Sequence, residues 1–350
     1  MVFFAFIICI LASLAITPLV KKMAIAVGAV DKPNYRKVHQ RIMPRMGGLA
    51  IFFSFMIGVW ILQPQSPYNA AIIIGGLIII VTGVLDDRFE LSAKLKLGGQ
   101  LLAALVVVVY GGVHMEFITL PFGGEMEFGF LSVPLTILWI VGITNAINLI
   151  DGLDGLAAGV SSIALLTISL MAAMKGDLYV MSIALLVLGS TLGFLRYNFH
   201  PAKIFMGDTG ALFLGYIIAV LSLLGFKNVT VISLIIPIII LGVPISDTFF
   251  AIIRRKLNKQ PISAPDKSHL HHCLLRMGYT HKQTVLIIYA IASMFGLAAI
   301  IFSMATVWGA FLLIAVLIVA IELFVESIGL VGSNYKPLLN FMMRPRMKKN

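Results

Sequence analysis

Eleven long apolar runs constrain what this chain can fold into. They occupy roughly residues 3–20, 47–62, 70–85, 97–113, 131–149, 156–174, 179–195, 210–225, 230–251, 284–303 and 308–330. Most approach the ~20 residues that a helix needs to cross a bilayer. With 60% hydrophobic and 12% charged residues among 350, the chain has more apolar surface than one soluble core buries. The sequence therefore predicts an all-α polytopic membrane protein of about eleven transmembrane helices, folded as a single domain over 1–350.

The distribution of basic residues predicts how these helices are oriented. When successive connections are assigned alternately to two sides, 24 of the 26 Lys and Arg residues fall on one side. Only Lys175 and Lys227 fall on the other side. Because Lys and Arg accumulate in cytoplasmic loops, the N-terminus is expected outside and the C-terminus in the cytoplasm. The net charge of +11 then indicates contact with membrane lipid, and nucleic acid is not expected as a partner.

The candidate functional residues are concentrated in the cytoplasmic connections. The predicted active-site loops are 21–46, 86–96, 150–155, 196–209 and 252–283, and 331–350 is a basic cytoplasmic tail. On the outer side, alternation within 114–130 predicts either a small β-hairpin or an ordered connector. The first apolar run is expected to be a retained helix, since Lys21 and Lys22 follow it and no basic residue precedes it. Cys9 and Cys273 predict no disulfide framework.

Acidic residues lie at the ends of the apolar runs, where charge is costly, roughly 2.5–3.5 kcal/mol at mid-bilayer. They are Asp86, Asp87, Asp151, Asp154, Asp208 and Asp247. The predicted topology brings all of them to or near the cytoplasmic face. Taken singly, Asp86-Asp87 could form an exposed turn, Asp208 a helix N-cap, and Asp247 an ion pair with Arg254 or Arg255. Their shared face favours one functional site instead.

The richest acidic segment lies around residues 145–157. Asn145, Asn148, Asp151 and Asp154 are spaced by three residues, so they form one stripe. Mg²⁺ takes one or two carboxylates together with substrate phosphates. A carboxylate site beside basic loops therefore predicts a diphosphate or nucleotide-linked substrate.

Two further segments are candidates for substrate contact. His269, His271 and His272 form a dense histidine cluster, which indicates metal or phosphate contacts. Zinc binding and ordinary solvated histidines are the alternatives. The first cytoplasmic loop, which includes Arg45, is expected to contact phosphate, and the alternative is ordinary positive-inside charge.

Taken together, these motifs resemble the polyprenyl-phosphate N-acetylhexosamine-1-phosphate transferases, most closely the TagO/WecA branch. The similarity rests on Asp86-Asp87 with Leu91–Lys96, on Asn145–Ala157, on Met206–Gly210, on His269–His272 and on Pro44–Gly48. It implies transfer of N-acetylglucosamine 1-phosphate from UDP-GlcNAc to undecaprenyl phosphate, with release of UMP and use of Mg²⁺ or Mn²⁺. It also implies a bacterial cytoplasmic membrane enzyme with its active site facing the cytoplasm, a homodimer as a plausible assembly, and a product that starts wall teichoic acid or a related envelope polymer.

The resemblance also implies residue roles. Asp86, Asp87 and Asp208 would be catalytic, with Asp208 and Asp87 as metal ligands and one of the Asp86-Asp87 pair as a base for the acceptor. The expected substrate-binding residues are Asn145, Asn148, Asp151, Asp154, Lys96, Arg45, His269, His271 and His272. Cys273 stands where the family commonly has a basic residue. Asp247 receives only a supporting role. A covalent intermediate and direct attack both stay open, although direct attack needs little beyond positioning and charge stabilisation.

Three other functions compete with this one. A related transferase would use another UDP-sugar, such as UDP-MurNAc-pentapeptide, but its histidine segment differs. A CDP-alcohol phosphotransferase would need an arginine soon after the Asp-Gly pair, and Asp154-Gly-Leu-Ala-Ala-Gly lacks one. A transporter would hold its carboxylates near the membrane midplane, whereas here they lie at the ends of the apolar runs.

Overall fold

The computed structural model of the protein describes residues 1–31, 42–115, 117–119, 124–226, 231–261, 268–332 and 335–343. In those residues the chain is almost entirely helical. The helices are α1 (Val2–Ala26), α2 (Gly48–Leu62), α3 (Asn69–Phe89), α4 (Ala93–Leu105), α5 (Ser132–Leu149), α6 (Leu156–Met174), α7 (Leu178–Asn198), α8 (Gly207–Phe226), α9 (Val231–Ile240), α10 (Gly242–Leu257), α11 (Leu270–Arg276), α12 (His281–Met304), α13 (Val307–Ile328) and α14 (Pro337–Met343). A π-helical turn at Val106–Tyr110 extends α4, and a 3₁₀ turn at Gly129–Leu131 precedes α5.

Each of the eleven apolar runs coincides with helix, which confirms the prediction of an all-α polytopic membrane protein. Within the described part of the chain, nine helices are long and apolar enough to cross a membrane. Two runs differ from the expected single spans. Helix α2 has only 15 residues, and the run at 230–251 is divided between α9 and α10. The number of spans and the orientation of the termini therefore stay predictions.

Proline explains the division between α9 and α10. Pro244, in the first turn of α10, has no N–H to donate to the carbonyl of Ile240, and its ring would crowd that carbonyl in a continuous helix. The helix ends at Ile240 and restarts at Gly242. Asp247 consequently lies early in a short helix rather than late in a long span.

Helix α8 is the centre of the bundle. It is buried along nearly its whole length, and it packs between α3 and α5, with α2 and α6 also in contact. Gly83 permits the close approach of α3, because a Cβ at this position would overlap the backbone of Thr209. Helix α1 packs on α7 and α2, and α12 packs on α6 and α9. Helix α13 is the opposite of α8, since almost none of it is buried within the chain.

Two short antiparallel strand pairs complete the fold. β1 (Val30–Asp31) pairs with β2 (Met43–Pro44), next to the start of α2. β3 (Phe117–Thr119) pairs with β4 (Glu125–Glu127), which confirms the hairpin alternative for 114–130. Residues 116 and 120–123 of that segment lie outside the described residues. So do 32–41 of the predicted loop 21–46, 262–267 of the predicted loop 252–283, and 333–334 and 344–350 of the predicted basic tail.

The predicted loop 86–96 is mostly helical. Helix α3 continues to Phe89 and α4 begins at Ala93, where the Ser92 hydroxyl accepts the backbone N–H of Leu95. Only three residues separate the two helices. The side chains of this segment are therefore fixed on helices and do not belong to an open loop.

Candidate active site

Three carboxylates meet where α3, α4 and α8 come together, and they are named here the acidic centre: Asp86, Asp87 and Asp208. Asp86 and Asp87 lie in the last turn of α3, and Asp208 lies in the first turn of α8. Acidic residues in the last turn of a helix oppose its macrodipole, so local helix stability does not explain Asp86 and Asp87. Their side chains are 9% and 0% exposed, and that of Asp208 is 14% exposed.

Asp87 holds the beginning of α8. Its Oδ1 accepts the backbone N–H of Asp208 at 2.9 Å, and its Oδ2 accepts the N–H and the hydroxyl of Thr209 at 3.1 and 2.6 Å. The two N–H donors are among the first N–H groups of the helix, which have no partner within it. Gly207 has a φ of +71°, and a Cβ there would overlap the Asp87 carboxylate. The Gly-Asp-Thr-Gly sequence is thus shaped around Asp87.

Asp86 and Asp208 share a single cation. The ammonium of Lys96, from α4, lies 2.9 Å from Oδ2 of Asp86 and also contacts Oδ2 of Asp208. Asn148, at the end of α5, donates its amide to Oδ1 of Asp208 at 3.2 Å. Two carboxylates that already enclose one cation offer the hard oxygen donors that Mg²⁺ prefers, so the residues present fit a divalent ion.

Arg45 supplies a second positive charge on the pocket side of the acidic centre. Its Nε is 3.4 Å from Oδ1 of Asp87, and its Nη2 is 3.9 Å from Oδ1 of Asp208. Burial would lower the pKa of Arg45, but the carboxylates of Asp87 and Asp208 raise it above its ordinary value. Backbone hydrogen bonds fix the position of Arg45. The carbonyl of Pro44 accepts the N–H of Phe205, and the carbonyl of Ala29 accepts the N–H of Arg45. A permanently charged guanidinium suits phosphate recognition.

A cavity of about 400 Å³ opens beside the acidic centre. It lies between the 150–155 connection, the segment before α8, and the starts of α11 and α12. Its lining residues are Asp31, Arg45, Asp151, Gly152, Leu153, Asp154, Asn198, His200, Phe205, Met206, Gly207, His271, His272 and His281. Its size suits a small-molecule ligand.

One residue of the lining, Asp151, has an altered pKa. Burial, with a further contribution from the nearby Asp208 carboxylate, raises the pKa of Asp151 to about 7.

Asp154 joins the 150–155 connection to its neighbours. Its Oδ2 accepts the N–H of Ala202 at 3.0 Å and contacts Nδ1 of His200 at 2.9 Å. Its own N–H is donated to Nε2 of His281 at 3.0 Å, and the rings of His200 and His281 stack 4.2 Å apart. These three side chains offer ligand atoms within 4.8 Å of one another, close enough to hold a metal ion. Their hydrogen bonds already give them a structural function as a clamp.

Part of the cavity lining is the histidine wall, defined as His271 and His272 of α11. The His271 ring lies against Gly152, where a Cβ would overlap the imidazole. Burial, together with a smaller contribution from the neighbouring His272, lowers the pKa of His271 to about 3. His271 is therefore neutral at physiological pH and acts as a hydrogen-bonding group without charge.

The structure brings most of the predicted site residues to one place. Asp86, Asp87, Asp208, Lys96, Arg45 and Asn148 form the acidic centre and its immediate partners, while Asp151, Asp154, His271 and His272 line the cavity. Two residues are directed elsewhere. Asn145 exchanges hydrogen bonds with the amide of Gln100 on α4 at 2.6 and 3.3 Å, and His269 contacts Asp247.

Sequence reasoning missed several cavity residues. Asn198 accepts the N–H of Gly155 at 3.1 Å and donates to the carbonyl of Ile204 at 3.0 Å, so it braces the loop that leads to α8. His200 and His281 were also missed. A polar Asn-Phe-His sequence between two apolar runs was the available signal for Asn198 and His200. His281 gave no such signal, because only the fold brings the start of α12 to Asp154.

Comparisons with known proteins decide the family. Residues 69–226 match glycosyl transferase family 4. The chain is 56% identical over 343 residues to a probable undecaprenyl-phosphate N-acetylglucosaminyl 1-phosphate transferase of Bacillus subtilis (strain 168), which covers 97% of this chain and 96% of the relative. The chain belongs to glycosyl transferase family 4. It is therefore a membrane transferase of the type that the motifs indicated.

More distant members share most of the chain. A decaprenyl-phosphate N-acetylglucosaminephosphotransferase of Mycobacterium tuberculosis is 36% identical over 318 residues, covering 81% of this chain and 78% of the relative. An undecaprenyl-phosphate alpha-N-acetylglucosaminyl 1-phosphate transferase of Escherichia coli (strain K12) is 29% identical over 282 residues, covering 78% and 76%. The family 4 match runs from α3 to α8 and so contains the whole acidic centre, whereas Asp247 and the histidine wall lie beyond it.

Proposed function

We propose that this protein transfers N-acetylglucosamine 1-phosphate from UDP-GlcNAc to undecaprenyl phosphate. The products are undecaprenyl-diphospho-GlcNAc and UMP. The observation that carries the proposal is the acidic centre, which pairs with Lys96 and with Arg45, beside a cavity that Arg45 and the histidine wall both line. The 56% identical relative is named for this reaction, which supports the choice of both the sugar and the lipid.

The reaction exchanges one phosphoanhydride bond for another. An oxygen of the acceptor phosphate attacks the phosphorus that bears the sugar, while the bond from that phosphorus to the UMP oxygen breaks and UMP leaves with the electron pair. Such transfers need positioning and charge stabilisation more than covalent help. Arg45 and Lys96 would offset charge on the phosphates, and we favour direct attack. The acceptor already carries a nucleophilic phosphate oxygen, so Asp86 would act as a base only for a protonated acceptor.

Mg²⁺ or Mn²⁺ would be held by Asp208, and it would offset charge on the diphosphate. Asp86 is the better second ligand on geometric grounds, since the two oxygens of Asp87 already accept three hydrogen bonds. The prediction of Asp87 as a ligand thus becomes a proposal for Asp86 beside Asp208. The ammonium of Lys96 lies between those two carboxylates, so it would have to move when a divalent ion binds.

The cellular setting extends the same proposal. The distribution of Lys and Arg supports an active site on the cytoplasmic side of the bacterial cell membrane. UDP-sugars are polar and enter the cavity from water, whereas undecaprenyl phosphate approaches through the lipid. Initiation of wall teichoic acid or a related envelope polymer follows from the likeness to the Bacillus relative, and a homodimer stays a prediction.

A direct assay tests this function. Purified protein in detergent is incubated with Mg²⁺, UDP-GlcNAc labelled in the sugar, and undecaprenyl phosphate. Labelled lipid and UMP should appear in equal amounts, and EDTA should abolish both. UDP-MurNAc-pentapeptide serves as the competing donor and decaprenyl phosphate as the competing acceptor. Absence of labelled lipid with UDP-GlcNAc, under conditions where the protein stays monodisperse, would contradict the proposal.

A further inference from the structure

Asp247 is a buried carboxylate outside both the acidic centre and the cavity lining. It lies on α10 and is 2% exposed. Its Oδ2 contacts Nδ1 of His269 at 2.8 Å, and its Oδ1 accepts the N–H of Leu270 at 2.7 Å. Both oxygens thus bind the residues at which α11 begins. Since a carboxylate only accepts, Nδ1 of His269 carries the hydrogen.

Asp247 fixes the beginning of helix α11, which also packs on α12 through buried side chains. It has seven residues, and an isolated helix of that length is not stable in water. Its N-cap residue, His269, makes no side-chain cap hydrogen bond of the usual kind, because its ring is directed to Asp247. The carboxylate from α10 replaces the cap by accepting the N–H of Leu270, one of the first donors of the helix.

The same short helix bears the histidine wall. The ring of His271 is parallel to that of His269, with an interplanar angle of 5° and centroids 6.2 Å apart. The His271 ring lies against Gly152, and the ring of His272 packs beside that of His271, with the two ring centroids 4.1 Å apart. A shift of α11 would therefore move both histidines relative to the 150–155 connection, which also lines the cavity.

We infer that Asp247 is a positioning residue for the UDP-sugar: through His269 and Leu270 it fixes α11, and with it the histidine wall of the donor cavity. The inference rests on the proposed function for the identity of the donor. It assigns His269 to the support of the cavity and not to its lining. It also predicts that loss of Asp247 weakens donor binding more than it affects the acceptor.

The variant Asp247→Asn tests the inference with little change of shape. The Asn oxygen can still accept the N–H of Leu270, but its amide cannot accept the N–H of His269, so the imidazole must change tautomer or turn away. The dissociation constant for UDP-GlcNAc, measured by titration calorimetry on the full-length protein, should rise about tenfold, as for the loss of one hydrogen bond to a charged group. The KM for undecaprenyl phosphate should change less than twofold.

Glu326→Gln is the matched control. Glu326 is also a fully buried carboxylate, and it accepts the N–H groups of Leu338 and Leu339 at 2.7 and 2.8 Å at the start of α14, another seven-residue helix. This variant weakens the same kind of anchor without touching α11. It should leave the affinity for UDP-GlcNAc unchanged while it lowers Tm. If it weakened donor binding as much as Asp247→Asn, the effect would be one of general stability and the inference would fail.

Two further measurements separate position from stability. Hydrogen exchange of a peptide covering 268–277 should accelerate in Asp247→Asn relative to wild type. In a double-mutant cycle, His269→Asn combined with Asp247→Asn should weaken donor binding no more than the stronger single variant, since both act through one contact. Additive effects, or unchanged exchange in 268–277, would overturn the inference. A wild-type protein that binds UDP-GlcNAc without transferring it would contradict the proposed function alone, because the binding comparison would still be valid.

Discussion

The acidic centre lies beside the cavity and the histidine wall lines it, and the two clusters are built differently. Asp86, Asp87 and Asp208 lie on α3 and α8, two long helices that pack closely at Gly83 and Thr209. His271 and His272 lie on a seven-residue helix that is anchored by Asp247. The acidic centre is thus held by the core of the bundle, and the histidine wall by Asp247 and by the packing of a short helix on α12.

This difference indicates a division of labour. Charge stabilisation requires groups that do not move during the reaction, and the core of the bundle provides that rigidity. Donor binding tolerates and often uses adjustable segments. We therefore expect changes in the acidic centre to lower kcat and changes around the histidine wall to weaken donor binding.

The largest expected effect is that of Asp208→Asn. It removes one charge from the pair that encloses Lys96, and kcat should fall by about 10²–10³-fold because a divalent ion would lose its main ligand. Initial rates over a wide Mg²⁺ range measure the effect. Asp177→Asn is the control, since Asp177 also begins a helix, where it accepts the N–H of Val180. Near-wild-type turnover of Asp208→Asn at high Mg²⁺ would remove Asp208 from the metal site.

Asp87→Asn and Asp86→Asn should divide the roles of two adjacent residues. Asn at position 87 would replace one acceptor oxygen by an NH2 group, which cannot accept the N–H groups at the start of α8. Each buried donor left without an acceptor lowers the stability of the fold by about 1–3 kcal/mol. We expect a lower Tm and a loss of kcat of about 10–100-fold for this variant. Asp86→Asn should retain Tm and shift the Mg²⁺ dependence instead. Thermal unfolding and Mg²⁺ titrations measure the two properties, and identical behaviour of the variants would contradict separate roles.

The site was only partly predictable from the sequence. Hydropathy located every helix that could span a membrane, because apolar runs of that length have few other uses. The distribution of Lys and Arg predicted that the acidic residues lie on the same side of the membrane. The sequence could not reveal that Asp87 accepts three hydrogen bonds from the start of α8, or that Asn145 pairs with Gln100, since both depend on how distant helices pack. The break before Gly242 had a local signal in Pro244, which the length of the apolar run obscured.

Gly152→Ala should affect the histidine wall without altering any charge. The added methyl group would overlap the His271 imidazole, and overpacking of this kind costs about 1–3 kcal/mol. The KM for UDP-GlcNAc should rise about tenfold, while kcat changes little. Gly142→Ala is the control, because no heavy atom lies within 4 Å of a Cβ added there. A fall in kcat with unchanged KM would contradict the division of labour between the two sides.

The smallest expected effect is a pH dependence of stability. The pKa of His271 falls to about 3 in the folded protein because of burial, from about 6.5 for an unperturbed histidine. Between these values the unfolded chain binds the proton and the folded chain does not, so stability falls as pH drops below about 6.5. His271→Gln should therefore flatten the decline of Tm between pH 6 and pH 4. An unchanged acid decline would show that other groups cause it.

The position of Lys96 indicates that the fold stays stable when no divalent ion is bound. Its ammonium already lies between Asp86 and Asp208, so removal of a divalent ion would not leave two buried carboxylates facing each other. The chain carries its own internal counter-ion for the resting state. Inactivation by a chelator should accordingly be reversible on return of Mg²⁺, with the far-UV circular dichroism of the stripped protein matching that of the loaded one.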